Sequence, residues 1–183
     1  MNVTLRPLTY EDALSFEYWG VHEEAYLSDY NFLARGENEI MEWYRWKIES
    51  PKAYYFAILE DGSPCGYVAI KNINEVMASC ELGIVLDPNK VNRKIGHQAL
   101  ELIMDEAHKN LGLVEFNLRV ACFNKRAISC YRSLGFETVY KGLAPYKADP
   151  IDFTKEENLR LKKYFFKFLF LDFFYYYKMR LRR

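Results

Sequence analysis

Metal and disulfide chemistry have little to work with in this chain. Its 183 residues include four cysteines, Cys65, Cys80, Cys122 and Cys130, and three histidines. No Cys-x-x-Cys occurs and the histidines are scattered, so neither a metal site nor a disulfide framework is indicated. The cysteines read as small buried residues of a reducing compartment. Net charge is missing too: 25 acidic residues balance 25 basic ones, which removes the overall field that draws a protein to nucleic acid or to an anionic membrane. The opening Met1-Asn-Val-Thr-Leu-Arg6 alternates like a strand and lacks a basic start followed by an apolar core, so no secretory signal is read and a cytoplasmic location is expected. No run reaches the ~20 apolar residues of a membrane span; the aromatic stretch 164–177 is interrupted by Lys167 and Asp172. No internal repeat or low-complexity linker divides the chain. Half its residues are apolar, so one globular domain over residues 1–183 is expected.

The local signals are ordered. Thr9-x-x-Asp12 resembles a capping box, with Leu8 and Ala13 placed for a hydrophobic staple, and predicts a helix through roughly Tyr26. Asp29 to Asn38 reads as a loop around Gly36. A second helix is expected from about Glu39 to Glu49, ended by Pro51, with Trp43 and Trp46 on roughly opposite sides. Strands at 54–59 and 66–71 are joined through Asp61-Gly62, a hairpin signal in a loop longer than the tightest type. Near the other end, Thr154-x-x-Glu157 predicts a further helix through roughly Phe168, and an alternating strand follows at 173–181 with Phe173, Tyr175, Tyr177, Met179 and Leu181 on its buried side. The aromatic end of that helix is either packed against the body or a patch for a partner subunit or a membrane surface.

The stretch from Glu81 to Phe136 organises the rest. Cys80 to Leu86 is a short run of β-formers closed by Asp87-Pro88-Asn89. The polar, cationic turn 90–97 feeds a helix with Ala99, Leu102, Ile103 and Ala107 at apolar spacing. A helix start presents unpaired N–H groups and the positive end of its dipole, so with Arg93 and Lys94 beside it this turn suits a phosphate or pyrophosphate. A second strand, 114–121, alternates Val114, Phe116, Leu118 and Val120 with polar residues. Asn124 then caps a helix whose stripe is Ala127, Ile128, Tyr131 and Leu134, and Gly135 stands at its C′ position.

These residues carry a resemblance to the GNAT superfamily of acetyl-CoA-dependent N-acetyltransferases, nearest to the branch of ribosomal-protein and nucleotide-sugar amine acetyltransferases. The signature Asn-x-x-Ala-x-x-x-Tyr-x-x-x-Gly-Phe is complete as Asn124, Ala127, Tyr131, Gly135 and Phe136. The other signature, Gln/Arg-x-x-Gly-x-Gly/Ala, is half kept: Val91 and Lys94 stand at the Gln/Arg and first Gly positions, Gly96 at the second. By motif the resemblance covers about residues 80–140. It implies an α/β (α+β) fold, a single GNAT-like domain with a mixed, mostly antiparallel sheet and helices on both faces, here with the extra helix at about 154–168 before the last strand. It implies acetyl-CoA as co-substrate, no metal, and a small-molecule or peptide amine as acceptor: a nucleotide-linked amino sugar, a protein N-terminus or another small amine. Neither a nucleic-acid partner nor a membrane span is expected, and a homodimer is left open. A catalytically weak CoA-binding relative and an interaction module working through the aromatic C-terminal helix are the alternatives.

Acetyl transfer assigns roles under that resemblance. An amine attacks only as the free base, so Glu81 is the candidate proton acceptor. Main-chain N–H groups at Ile84, Val85 and Leu86 are candidate donors to the acyl oxygen. Asn92, Arg93, Lys94, Ile95, Gly96 and His97 are expected to hold the pyrophosphate; at Lys94 either a left-handed backbone costs about 1–2 kcal/mol and its Cβ crowds the pyrophosphate, or, the preferred reading, the backbone stays right-handed and the ammonium adds a contact. Asn124 is expected at the pantetheine arm, and Tyr131 as the acid for the departing thiolate. Acceptor residues are sought near Trp19, His22 and Trp43, with Tyr26, Asp29 and Tyr30 as the substrate-binding candidates.

Overall fold

The computed structural model describes residues 2–148 and 150–183; Met1, which begins the alternating N-terminal run, lies outside the described residues. The chain forms two compact units, Met1–Val21 with Asn31–Asn117 and Arg182–Arg183, and His22–Tyr30 with Leu118–Leu181.

In the first unit, strands β1 (Val3–Pro7), β2 (Tyr54–Glu60), β3 (Ser63–Asn74) and β4 (Ser79–Leu86) pair antiparallel in sequence order, and β4 then pairs parallel with the start of β5 (Glu115–Ala121). Asp61 and Gly62 both have positive φ between the paired Glu60 and Ser63, so the β2–β3 connection is the tight two-residue turn rather than the longer loop expected. Side-chain alternation gives the sheet two apolar faces. Tyr55, Ala57, Leu59, Tyr67 and Val85 pack with Ala13 and Phe16 near α1 (Tyr10–Ser15) and with Ile40 and Trp43 of α2 (Gly36–Ile48). On the opposite face, Ile84 and Leu86 meet the start of α3 (Ile95–Leu111), where a Cβ on Gly96 would lie 3.3 Å from Leu86 Cδ1. Helices therefore cover both faces of this sheet.

The Thr9–Asp12 capping box forms, and Leu8 and Ala13 are both buried. The helix it opens ends at Ser15, followed by a single 3-10 turn over Phe16–Tyr18, well short of Tyr26. The chain is diverted there because Gly20 N–H donates to Asp87 Oδ1 at 3.0 Å, fixing this segment to the end of β4. Helix α2 begins at Gly36, earlier than expected, because Glu17 accepts Gly36 N–H and Glu39 accepts Arg35 N–H. Trp43 packs into the core and Trp46 is exposed. Along α3 the buried residues are Ile95, Ala99, Leu100, Ile103, Met104 and Ala107; Leu102, placed in the stripe by its spacing, is exposed.

The second unit holds the rest of β5, helix α4 (Lys125–Ser133), β6 (Glu137–Pro145), the short α5 (Glu156–Leu159), β7 (Phe165–Phe168) and β8 (Leu171–Arg182). β8 pairs antiparallel with both β6 and β7, and Cys122 N–H donates to Tyr175 O. The expected helix over 154–168 does not form. Asp152 takes both the N–H and the hydroxyl of Thr154, so the capping box fails, and α5 spans four residues. Phe165, Phe166 and Phe168 are β-formers and find a pairing strand in β8, which starts at Leu171 instead of Phe173. Along β8 Met179 is buried, while its alternate residues are partly exposed on both faces. The apolar cluster of this unit is Leu27, Ala121, Phe123 and Leu161, with Tyr26, Tyr30, Phe153, Phe165 and Phe174 against it.

Candidate active site

The first unit supplies a strand edge, a cationic loop and a helix start. The parallel ladder between β4 and β5 consists of Ser79–Glu81 against Glu115–Asn117. Beyond Glu81 that edge of β4 has no pairing strand among the described residues. Asp87 N–H donates to Cys65 O at 2.9 Å, and Cys80 O, on the other side, accepts from Asn117 Nδ2. Main-chain groups alternate along a strand, so odd-numbered residues of β4 are bonded toward β3 and even-numbered ones face the open edge. Ile84 and Leu86 thus present free N–H groups there. Val85 does not: its main chain is turned toward β3 and its side chain joins the α1/α2 core.

The loop that follows is clamped from below. Glu60, at the end of β2 and only 6% exposed, lies 2.9 Å from Lys90 Nζ through Oε2 and 2.6 Å from Arg93 Nη2 through Oε1. Asp87, also buried, accepts N–H groups from Gly20 and Asn89. Asn92 and Lys94 both adopt left-handed backbone, with φ 64° and 61°. The right-handed conformation expected at Lys94 is not found; the tight entry into α3 uses the glycine conformation at a lysine, at a cost of about 1–2 kcal/mol. The first intrahelical bond of α3 is Gln98 N–H to Lys94 O, which leaves the N–H groups of Ile95, Gly96 and His97 without an intrahelical acceptor. Lys94 gives no side-chain cap and is exposed, and His97 Nδ1 lies 3.3 Å from Glu101 Oε2. Three main-chain donors, an exposed ammonium and two neutralised cations are a donor set that fits a pyrophosphate.

Glu81 is half-buried on the β4 face shared with Gly83 and Val85, its carboxylate 3.6 Å from Lys71 Nζ and 3.5 Å from Asn72 Nδ2. Lys71 lies across Gly83, where a Cβ would stand 3.3 Å from Nζ. Behind Lys71, Lys47 sits among Trp43, Trp46, Tyr55 and Tyr67 at 4.1–5.7 Å from the ring centroids. Burial, and then the Lys71 charge, bring its pKa down to about 8.

In the second unit, Asn124 Oδ1 accepts the N–H of Ala127 at 3.1 Å and caps α4. Gly135 ends that helix in left-handed backbone. Tyr131 is buried, its ring centroid 6.0 Å from that of Phe136. Burial, with Tyr30 and Cys130 nearby, pushes its phenol far above the usual tyrosine range, so it holds its proton throughout the neutral region. Tyr30 stands with it: burial raises its pKa, and hydrogen bonds from the Asn124 side chain and the Ala121 main chain partly offset the rise. Asp29 is exposed beside it, and Arg126 acts on both Tyr30 and His22. Tyr26, by contrast, packs edge-on to Phe123 at 5.6 Å as part of the apolar cluster. Sequence reasoning missed Glu60 and Arg126. Arg126 sits inside the α4 signature and was open to notice, whereas nothing local in the β2 hairpin announces that Glu60 will meet Lys90 and Arg93.

No group of three or more His, Cys, Asp or Glu residues able to hold a metal occurs among the described residues. Burial pushes the thiols of Cys65 and Cys80 up to about 11 and about 12, so they stay protonated and inert. No helix of the described residues is long and apolar enough to cross a membrane.

The acetyltransferase (GNAT) domain family matches residues 2–137. Spermidine N(1)-acetyltransferase of Escherichia coli (strain K12) is 30% identical over 145 residues, which is 74% of this chain and 73% of that one. The spermidine N-acetyltransferase of Vibrio cholerae, solved in complex with CoA and spermine, matches with a TM-score of 0.71 at 17% identity, covering 98% of this chain and 95% of its own. A dodecameric structure of spermidine N-acetyltransferase from Vibrio cholerae matches with a TM-score of 0.63 at 17% identity, covering 98% and 93%. At such identity the solved structures speak to the fold, and the family match speaks to the chemistry. With that family matching residues 2–137 and a relative 30% identical over about three quarters of both chains, the chain belongs to the GNAT acetyltransferases, which move an acetyl group from acetyl-CoA to an amine nitrogen.

Proposed function

We propose that the acceptor of this N-acetyltransferase is a polyamine of the spermidine type. The observation that carries this is the 30% identity to a spermidine N(1)-acetyltransferase over about three quarters of both chains. The chemistry of the second unit supports it. Segment 22–30 holds Glu23, Glu24 and Asp29 and no lysine or arginine, and it brings Tyr30 to Asn124. Acidic groups beside aromatic rings suit a flexible polycation. A nucleotide-linked amino sugar would instead call for further cations to meet its own diphosphate.

Acetyl-CoA, when bound, supplies the activated acyl carbon and a thiolate leaving group. Ile95, Gly96 and His97, with Lys94, are the groups to hold its diphosphate, and Asn92 and Arg93 shape the turn that aims them. The main-chain N–H groups of Ile84 and Leu86 are the donors available to polarise an acyl oxygen. Asn124 is assigned to the pantetheine arm, its carbonyl capping α4 and its side chain also meeting Tyr30. Glu81 takes the proton that an amine with a pKa near ~10 carries at neutral pH, directly or through water. Lys71 keeps that carboxylate oriented over Gly83. Tyr131, protonated and buried, gives its proton to the departing sulfur. Tyr30 and Asp29 meet the acceptor; Tyr26 supports them through its packing on Phe123.

A mass-spectrometric screen with acetyl-CoA tests the acceptor. Spermidine and spermine should be acetylated in preference to amino-sugar nucleotides and N-terminal peptides. Turnover confined to either of the latter would overturn the polyamine assignment.

A further inference from the structure

The hairpin formed by β7 and β8 has two unlike faces. Register pairs Phe165 with Phe174, Phe166 with Phe173, Lys167 with Asp172 and Phe168 with Leu171. Phe165 and Phe174 turn into the apolar cluster of the second unit and anchor the hairpin. On the alternate face Phe166, Phe168 and Leu171 are exposed, and they run continuously into the tip, where Leu169 is 73% and Phe170 95% exposed. Leu169 has a positive φ, so the turn holds its side chain in this position by backbone geometry. Five large apolar side chains on one anchored surface form a patch of the kind that marks an interaction site.

Charge indicates what the patch meets. Residues 160–171 contain Arg160, Lys162, Lys163 and Lys167 and no acid, within a chain of zero net charge. Asp172 lies 3.8 Å from Lys167 and offsets part of its charge, Glu156 and Glu157 lie earlier in α5, and Lys125 adds a cation over the Tyr164 ring at 4.8 Å. A symmetric contact of this face with a second copy would bring two sets of these cations together. An exposed apolar face on a segment this rich in lysine is complementary instead to a bilayer with anionic headgroups, whose phosphates pair with the cations while aromatic and leucine side chains enter the acyl boundary.

We infer that the β7–β8 hairpin is a peripheral docking surface for an anionic lipid bilayer. The enzyme reaches it as a reversible surface ligand, since the described residues offer no spanning helix.

Vesicle flotation tests this with the full chain. The protein should float with vesicles of equal phosphatidylglycerol and phosphatidylcholine and remain behind with phosphatidylcholine alone. Raising NaCl to roughly 0.5 M should release most of it. Phe170→Asp should cut the floated fraction by about tenfold with acetyl transfer in buffer unchanged, and Lys162→Glu with Lys163→Glu should do the same. Because Phe170 is almost fully exposed, its variant tests the surface without a folding defect. Failure to float with the anionic vesicles, or flotation unaffected by Phe170→Asp, overturns the inference. So does a fall in solution mass on Phe170→Asp in a protein that ignores vesicles, which would make the face a contact between copies.

Discussion

Replacing Lys94 by glycine separates two effects that its lysine combines. The residue sits at φ 61°, ψ 6°, where an L side chain costs about 1–2 kcal/mol and glycine costs nothing. Glycine also has more freedom to lose from the unfolded chain, about 0.5–1 kcal/mol, so the folded state should gain roughly 0.5–1 kcal/mol in all. For a chain of this length that corresponds to a rise in Tm of about 1–4 °C. Lys94→Ala keeps the conformational cost and removes only the ammonium. By calorimetry the order should be glycine above alanine, while both variants should need more acetyl-CoA for half-saturation, by about 2- to 10-fold, having lost the exposed cation beside the diphosphate site. An alanine variant as stable as the glycine variant would refute the left-handed backbone. An unchanged KM for acetyl-CoA in both would remove Lys94 from the donor site.

Tyr131→Phe should lower kcat by about 100-fold or more while the KM for acetyl-CoA moves little, read from steady-state kinetics; equal losses in affinity and rate would demote the phenol to packing. Glu60→Gln should destabilise the protein by about 1–2 kcal/mol and raise the KM for acetyl-CoA, because Lys90 and Arg93 lose the carboxylate that aims them. Chemical denaturation with donor titration checks both halves. Lys47 has a folded pKa of about 8, below its unfolded value. The unfolded state therefore binds more protons between about pH 8 and 10, so stability from this group should rise with pH across that window and be absent below it. Lys47→Met should be more stable than the parent at neutral pH and should flatten that rise; denaturation midpoints showing the same alkaline slope in both proteins would contradict the assignment.

How much of this was legible in the sequence follows from the range of the interactions involved. Thr9 with Asp12, Asn124 with Ala127, and Gly135 are contacts within a few residues, and the structure contains each of them. Thr154 carries the same local signal as Thr9, yet Asp152 competes for it, and the pairing of Phe166 with Phe173 favours a strand over the helix. Propensity loses there because tertiary partners decide between two states of similar intrinsic cost. β6 carries exposed residues over most of its length, so no alternation announced it. In the site, the family signature pointed to Tyr131 and Asn124, but their companionship with Tyr30 spans nearly a hundred positions and has no local trace. Which main-chain groups of β4 stand free depended on strand register, and that excluded Val85 while keeping Ile84 and Leu86.

The carboxylate of Glu60 has an effect beyond aiming two side chains. Since it already satisfies Lys90 and Arg93, a diphosphate held as proposed would meet a surface whose attraction comes chiefly from fixed amide dipoles and the exposed Lys94 ammonium. Dipoles held by a helix act at contact distance, inside the range over which dissolved ions intervene. Donor capture should therefore tolerate brine that would strip a ligand held by free lysines, and the enzyme would distinguish its nucleotide by outline more than by charge.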